Sequence, residues 1–193
     1  MIDEPAMVPP LVRSAQDAAQ AAQFGMSCTN RTGALLRMLA ASKPDGRILE
    51  LGTGTGVGAA WLLSGMSQDA RLDTVESDAV TCAIAQGVLM RDHRATLHCA
   101  DAQGWLDSYY GTWFDLVFID CRPGKFAQRG LLIDHLAPGG LYVVDDLLPQ
   151  ATWPNDHQPR VDRFLAEIGD EDGLHVARLS WDSGIIIAAR AQV

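Results

Sequence analysis

The stretch from Arg47 to Leu63, RILELGTGTGVGAAWLL, constrains this chain more than any other. A short run, Ile48 to Leu51, apolar except for Glu50, leads into four alternating glycines (Gly52, Gly54, Gly56 and Gly58), and a longer apolar segment follows. A short apolar run bounded by glycine is the pattern of a buried strand, and the longer segment is the start of a helix. Glycine permits positive φ and removes the Cβ that would hold a ligand away from the backbone. Strand, turn and helix in this order present a ligand to a helix N-terminus.

The same alternation continues downstream. Strand patterns cover 48–51, 72–76, 96–99, 114–119 and 141–145, and helical patterns cover 56–67, 79–91, 104–109 and 126–136. Upstream, residues 1–12 read as a loose arm, 14–24 as a helix, and a second helix starts near Thr32 with LLRMLA before the turn Lys43-Pro44-Asp45-Gly46. A loop with Pro149, Pro154 and Pro159 precedes a helix over 159–168. The end differs: two strand patterns, 175–180 and 185–190, flank the tight turn Trp181-Asp182-Ser183-Gly184, so this pair is antiparallel. The spacing predicts an α/β fold, a mostly parallel sheet ending in a hairpin. The 193 residues suit a single domain over 1–193, with 1–45 as an arm and cap helices and 46–193 as the core.

Partner classes narrow from charge. The formal net charge is −9 and no Lys/Arg cluster is present, which argues against nucleic acid and anionic membrane. No apolar run reaches the roughly 18 residues of a membrane span. The N-terminus, MIDEPAMVPP, is unlike a signal peptide. Cys28, Cys82, Cys99 and Cys121 lack C-x-x-C spacing and are expected to be free thiols in a reducing cytoplasm.

Ligands of open α/β sheets bind beyond the carboxyl ends of the strands. Each of the five strand patterns ends in an acid or leads into one: Glu50, Glu76, Asp101, Asp120, and the pair Asp145 and Asp146. Glu76 falls at the spacing, about 20 residues past the glycines, at which a carboxylate meets the ribose hydroxyls of a nucleotide. Glu50 is more discriminating. A carboxylate just before the glycines repels a pyrophosphate but suits an ammonium or sulfonium, which points to S-adenosylmethionine rather than NAD. The pattern G-x-G-x-x-A from Gly54 to Ala59 is by itself only a weak dinucleotide signal.

The ordered segments ILELGTGTG, DTVESD, HCADA, FDLVFIDCRPGKF and LAPGGLYVVDDLL resemble class I S-adenosylmethionine-dependent methyltransferases. More narrowly, the chain resembles the cation-dependent O-methyltransferases related to catechol and caffeoyl-CoA O-methyltransferases, and SCTNRTGALLRMLA resembles the N-terminal helix that those enzymes fold over the cofactor. The resemblance implies a Rossmann-like seven-stranded sheet of order 3-2-1-4-5-7-6 with helices on both faces. It implies a cofactor set of Glu50, Gly52, Thr53, Gly54, Val57, Glu76, Ser77, Asp101, Ala102 and Asp120. Glu50, Gly52 and Gly54 would surround the methionine moiety, Glu76 would hold the ribose, and Asp101 with Ala102 the adenine. It also implies Mg²⁺ or another divalent cation on Asp120, Asp145 and Asp146, where the last position is commonly Asn. Two readings of Asp146 stay open, a metal ligand or a turn cap. Consecutive strand residues point to opposite faces, so Asp145 and Asp146 can share a metal only if the strand has already ended.

The implied reaction is methyl transfer to a small-molecule hydroxyl, phenolic or catechol-like. Asp120 and Lys125 are the catalytic candidates. The relatives place a lysine three residues after the first of these aspartates, but here that position is Pro123. Lys125 either takes the role through a longer loop or is a solvated lysine. Trp153 and His157 are candidates for the acceptor wall. The relatives are often dimers, so a homodimer is open. The competing readings are a metal-independent methyltransferase, a non-catalytic S-adenosylmethionine-binding protein and an NAD-dependent oxidoreductase.

Overall fold

A computed structural model describes residues 4–151 and 153–192. Its seven strands are β1 (Arg47–Leu51), β2 (Arg71–Glu76), β3 (Ala95–Cys99), β4 (Phe114–Ile119), β5 (Leu136–Val144), β6 (Leu174–Leu179) and β7 (Ile185–Arg190). They form one sheet of order β3-β2-β1-β4-β5-β7-β6, as expected. The five strands from β3 to β5 are parallel, with Ile48 opposite both Leu72 and Leu116. The last strand pairs antiparallel with both of its neighbours, β5 and β6.

The central strands are apolar because both faces are covered. Along β1, Leu49 and Leu51 join Val117, Ile119, Tyr142 and Phe164 on one face. Ile48 joins Leu36, Leu62, Leu116 and Val143 on the other. The helices that cover them are α1 (Pro10–Ala21), α2 (Asn30–Ala41), α3 (Val57–Gly65), α4 (Ala79–Leu89), α5 (Ala102–Asp107), α6 (Arg129–Asp134) and α7 (His157–Glu167). No helix among the described residues is long and apolar enough to cross a membrane.

Several boundaries depart from the sequence reading. The first helix begins at Pro10, inside the segment expected to be an arm, because a proline suits the first helical position. It stops before Gln23, whose φ is +53°. The fifth strand begins at Leu136 rather than near Leu141. Its early part contains Pro138 and Gly139, and its register against β4 shifts between Phe114 and Leu116. The expectation of four free thiols is corrected for two of them: Cys82 in α4 and Cys99 at the end of β3 form a disulfide. That removes half of the cysteine argument for a reducing compartment. Cys28 and Cys121 are free.

Candidate functional site

A cleft of about 420 Å³ opens at the carboxyl ends of β1, β2 and β4. Its floor is the turn between β1 and α3, where Gly52, Gly54 and Gly56 all have positive φ. The ten residues expected around a cofactor, Glu50, Gly52, Thr53, Gly54, Val57, Glu76, Ser77, Asp101, Ala102 and Asp120, all line this one cleft. The opposite wall is made of Phe24, Met26, Ser27 and Cys28 ahead of α2; Ser27 and Cys28 open the segment expected to fold over the cofactor, and Phe24 and Met26 are the residues that the sequence reading missed. An aromatic residue shortly before the SCTN segment was the available signal.

Glu50 is fully buried. Its Oε2 accepts a 2.5 Å hydrogen bond from the Thr74 hydroxyl, which lies 2.6 Å from the Thr53 hydroxyl. Its Oε1 has no hydrogen-bond partner. Burial pushes the Glu50 carboxyl up to about 8, the Thr74 bond opposes this, and nearby Glu76 adds to it. Burial thus favours the neutral form of the carboxyl that was expected to act as a standing negative charge. A Cβ on Gly58 would lie 2.3 Å from Glu50 Oε1, so glycine is what allows α3 to start against this carboxyl.

Glu76 is held by the backbone at the end of β2. Its Oε2 accepts from the Gly54 N–H and its Oε1 from the Asp78 N–H, both at 2.9 Å. Asp78 and Asp101 cap the helices that follow them, accepting from Thr81 N at 2.7 Å and Gly104 N at 2.8 Å. Capping and facing a ligand are compatible, since both residues also line the cleft.

At the acidic end, β5 stops at Val144, so Asp145 and Asp146 lie beyond the strand, as a shared metal would require. Their carboxylates nevertheless take different partners. Asp145 Oδ1 accepts from the Ser183 hydroxyl and from the Asp146 N–H, the latter at 2.7 Å. Asp146, at φ +60°, accepts from Gln150 Nε2 at 2.6 Å. Among the described residues no three His, Cys, Asp or Glu side chains gather into a group that could hold a metal ion. Asp120, Asp145 and Asp146, the three ligands that the resemblance implies, are accordingly not gathered into one such group here. Burial, then Asp145 and Asp146, hold the Asp120 carboxyl well above the usual range, and burial brings Asp145 to about 6.

Lys125 is not a solvated lysine. It lies in the loop before α6, is buried, and donates from Nζ to the Asp145 carbonyl at 2.6 Å. Trp153 and His157 do not line the cleft. They pack on each other with ring centroids 4.4 Å apart, and His157 meets Phe126 edge-on at 5.3 Å. Desolvation lowers the His157 pKa, with Lys125 and Arg122 next and Asp146 opposing, so this pair stands near the acidic end.

The turn between β6 and β7 was also missed. Ser183 binds the Asp145 carboxylate, and Asp182 accepts from Thr29 and, at 2.7 Å, from Thr32. One turn thus ties the start of α2 to the acidic end of the cleft. The sequence signal was the acid and hydroxyl inside WDSG, which read only as turn formers.

Residues 49–147 match the family model described as a methyltransferase domain. A candidate O-methyltransferase from Mycobacterium sp. (strain JLS) is 34% identical over 174 residues, covering 84% of this chain and 78% of that protein. Among solved structures, the cofactor-bound Rv0187 from MTB is 25% identical with a TM-score of 0.85, covering 96% of this chain and 92% of its own. The O-methyltransferase from Bacillus cereus in complex with SAH has a TM-score of 0.83 at 22% identity, with the same coverages of 96% and 92%.

Proposed function

We propose, starting from a chain that belongs to the methyltransferase-domain family and is an S-adenosylmethionine-dependent O-methyltransferase, that its acceptor is a small molecule bearing a phenolic or catechol-like hydroxyl. The observation that carries the reading is the cleft itself. Its size is that of a small-molecule site, and acids from four strand ends face a glycine turn with no basic group among the lining residues. That lining suits a cationic adenosyl ligand and disfavours a pyrophosphate. Glu50 faces the sulfonium and ammonium end, Glu76 takes the ribose hydroxyls, and Asp101 beside the small Ala102 takes the adenine. The aromatic group of Trp153, His157 and Phe126 supports a planar acceptor at the acidic end.

Methyl transfer forms a C–O bond as the C–S bond breaks, leaving a neutral thioether. The hydroxyl proton must leave as the oxygen attacks. We assign the proton to Asp120, which lines the cleft beside Gly52 at the expected methionine end. Most of the acceleration comes from holding the oxygen in line with the methyl group. Two of the three carboxylates, those of Asp145 and Asp146, already accept hydrogen bonds, and this reading routes no step through a divalent ion. The test is transfer of a labelled methyl group to a panel of catechols, monophenols and aliphatic alcohols. Label on the aromatic hydroxyls supports the proposal, and label confined to aliphatic alcohols contradicts it.

Glu50 gives this reading a pH signature. A ligand cation favours the ionised carboxyl, whereas the empty cleft favours the neutral one. Cofactor binding is therefore expected to tighten between about pH 6 and 7.5, by at most roughly tenfold per pH unit. Stability of the unliganded protein runs the other way. The folded state holds this proton more tightly than the unfolded chain, so Glu50 costs stability progressively as pH rises from its ordinary value of 4.5 toward about 8. Glu50→Gln is expected to flatten both trends, as checked by calorimetry with S-adenosylhomocysteine and by thermal unfolding across pH. Retention of both slopes in the variant would assign them to another group.

A further inference from the structure

We propose that Lys125 stands in for a divalent ion, as a buried, fixed cation among the acids that follow β4 and β5 beside the cleft, so that methyl transfer needs no added metal. The proposal rests on the methyl-transfer reading above and adds to it the source of positive charge.

Three carboxylates follow the ends of two neighbouring strands, and such a group requires a counter-charge. Lys125 supplies it. Its side chain is 2% exposed, and its field acts on both Asp120 and Asp145. Burying an ammonium is costly unless it is hydrogen-bonded and paired with opposite charge. The Asp145 carbonyl meets one of its three donors at 2.6 Å, and the ammonium's field lowers the carboxyl pKa of Asp120 and of Asp145 against the burial that raises both.

The loop holds the lysine in this place. Gly124 has φ +81°, its N–H donates to the Ala127 carbonyl at 2.8 Å, and its carbonyl accepts from the buried Tyr142 hydroxyl. A Cβ on Gly124 would lie 2.9 Å from Leu51 and 3.0 Å from Leu132, so the backbone is pressed onto the core. From that anchored turn the next residue, Lys125, reaches back to the end of β5.

The acids are arranged accordingly. Asp146 is turned to Gln150, and one oxygen of Asp145 is taken by Ser183 and the Asp146 N–H. A divalent ion placed beside Asp120 and Asp145 would also face the lysine charge at close range, in surroundings that screen it poorly. As the standing cation, Lys125 is a positioning residue and not the proton acceptor. Its field favours the acceptor oxyanion.

The test is titration with Mn²⁺, followed by electron paramagnetic resonance, of chelator-treated protein saturated with S-adenosylhomocysteine. The wild type is expected to bind no Mn²⁺ more tightly than about 1 mM, and its methyl transfer to change less than about twofold with chelator or Mg²⁺. Lys125→Met is expected to gain one Mn²⁺ site that a further Asp120→Asn removes. Lys125→Gln serves in its place if the methionine variant does not fold. A tight Mn²⁺ site in the wild type with chelator-sensitive transfer overturns the proposal. So does a folded Lys125 variant that binds S-adenosylhomocysteine but no Mn²⁺. Failure of the wild type to bind S-adenosylhomocysteine at all counts against the methyl-transfer reading instead, and leaves the Mn²⁺ titration to decide on Lys125.

Discussion

Replacing Gly58 with alanine is expected to weaken S-adenosylhomocysteine binding by at least about 100-fold and to destabilise the unliganded protein by roughly 1–3 kcal/mol. The added methyl would sit 2.3 Å from Glu50 Oε1 and 3.4 Å from the Phe118 ring, and both residues are buried. Neither can retreat. Glu50 is fixed through Thr74, and Phe118 lies in the central strand β4. The strain must therefore move the start of α3, which carries the backbone that faces the ligand. A double-mutant cycle isolates the cause. Truncating Glu50 to alanine removes the oxygen that clashes, so Gly58→Ala should cost little stability in that background. Equal stability loss in both backgrounds, read by thermal unfolding, would point to the helix itself rather than to the Glu50 contact.

Glu76→Ala is expected to cost about 100-fold in S-adenosylhomocysteine affinity, from the loss of charge-assisted hydrogen bonds worth roughly 1.5–3 kcal/mol each. The carboxylate does two things here. It accepts from the N–H groups of Gly54 and Asp78, fixing the glycine turn relative to β2, and in the proposed complex it takes the ribose hydroxyls. Glu76→Gln keeps the shape but can accept through only one end, so it should fall between wild type and alanine. Asp101→Ala should cost less, about tenfold or under, because that side chain is exposed and its cap to Gly104 is local. Calorimetry on the three variants checks the order. Asp101→Ala as damaging as Glu76→Ala would shift the weight of recognition to the adenine end.

The sequence carried the sheet well because its signals were local and periodic. Apart from Glu50 and Asp115, Ile48 to Leu51 and Phe114 to Ile119 carry apolar residues on both faces, as a covered parallel strand requires. The hairpin followed from one tight turn, Trp181 to Gly184. Boundaries were lost where local preference met tertiary packing, as at Leu136, where the strand starts ahead of Pro138 and Gly139.

The candidate site divides in the same way. Residues at strand ends were legible, since topology brings every such end to one edge. Phe24 and Met26 in the opposite wall were not, because only the packing of the segment ahead of α2 carries them to the cleft. Lys125 was ambiguous for a similar reason. Whether a lysine in a loop is solvated or folded inward depends on Gly124 being pressed against Leu51 and Leu132, contacts made at long range in the chain. Ionisation was the least legible property. Glu50 reads as a charged residue, but its buried place beside Thr74 raises its carboxyl to about 8.

The most direct measurement is a calorimetric titration of the purified protein with S-adenosylhomocysteine and, separately, with NADH. The expected result is one S-adenosylhomocysteine site per chain in the micromolar range, roughly 8 kcal/mol of binding free energy, with no heat from NADH. Saturable NADH binding with none for S-adenosylhomocysteine would contradict the assignment of this cleft to an adenosyl sulfonium cofactor.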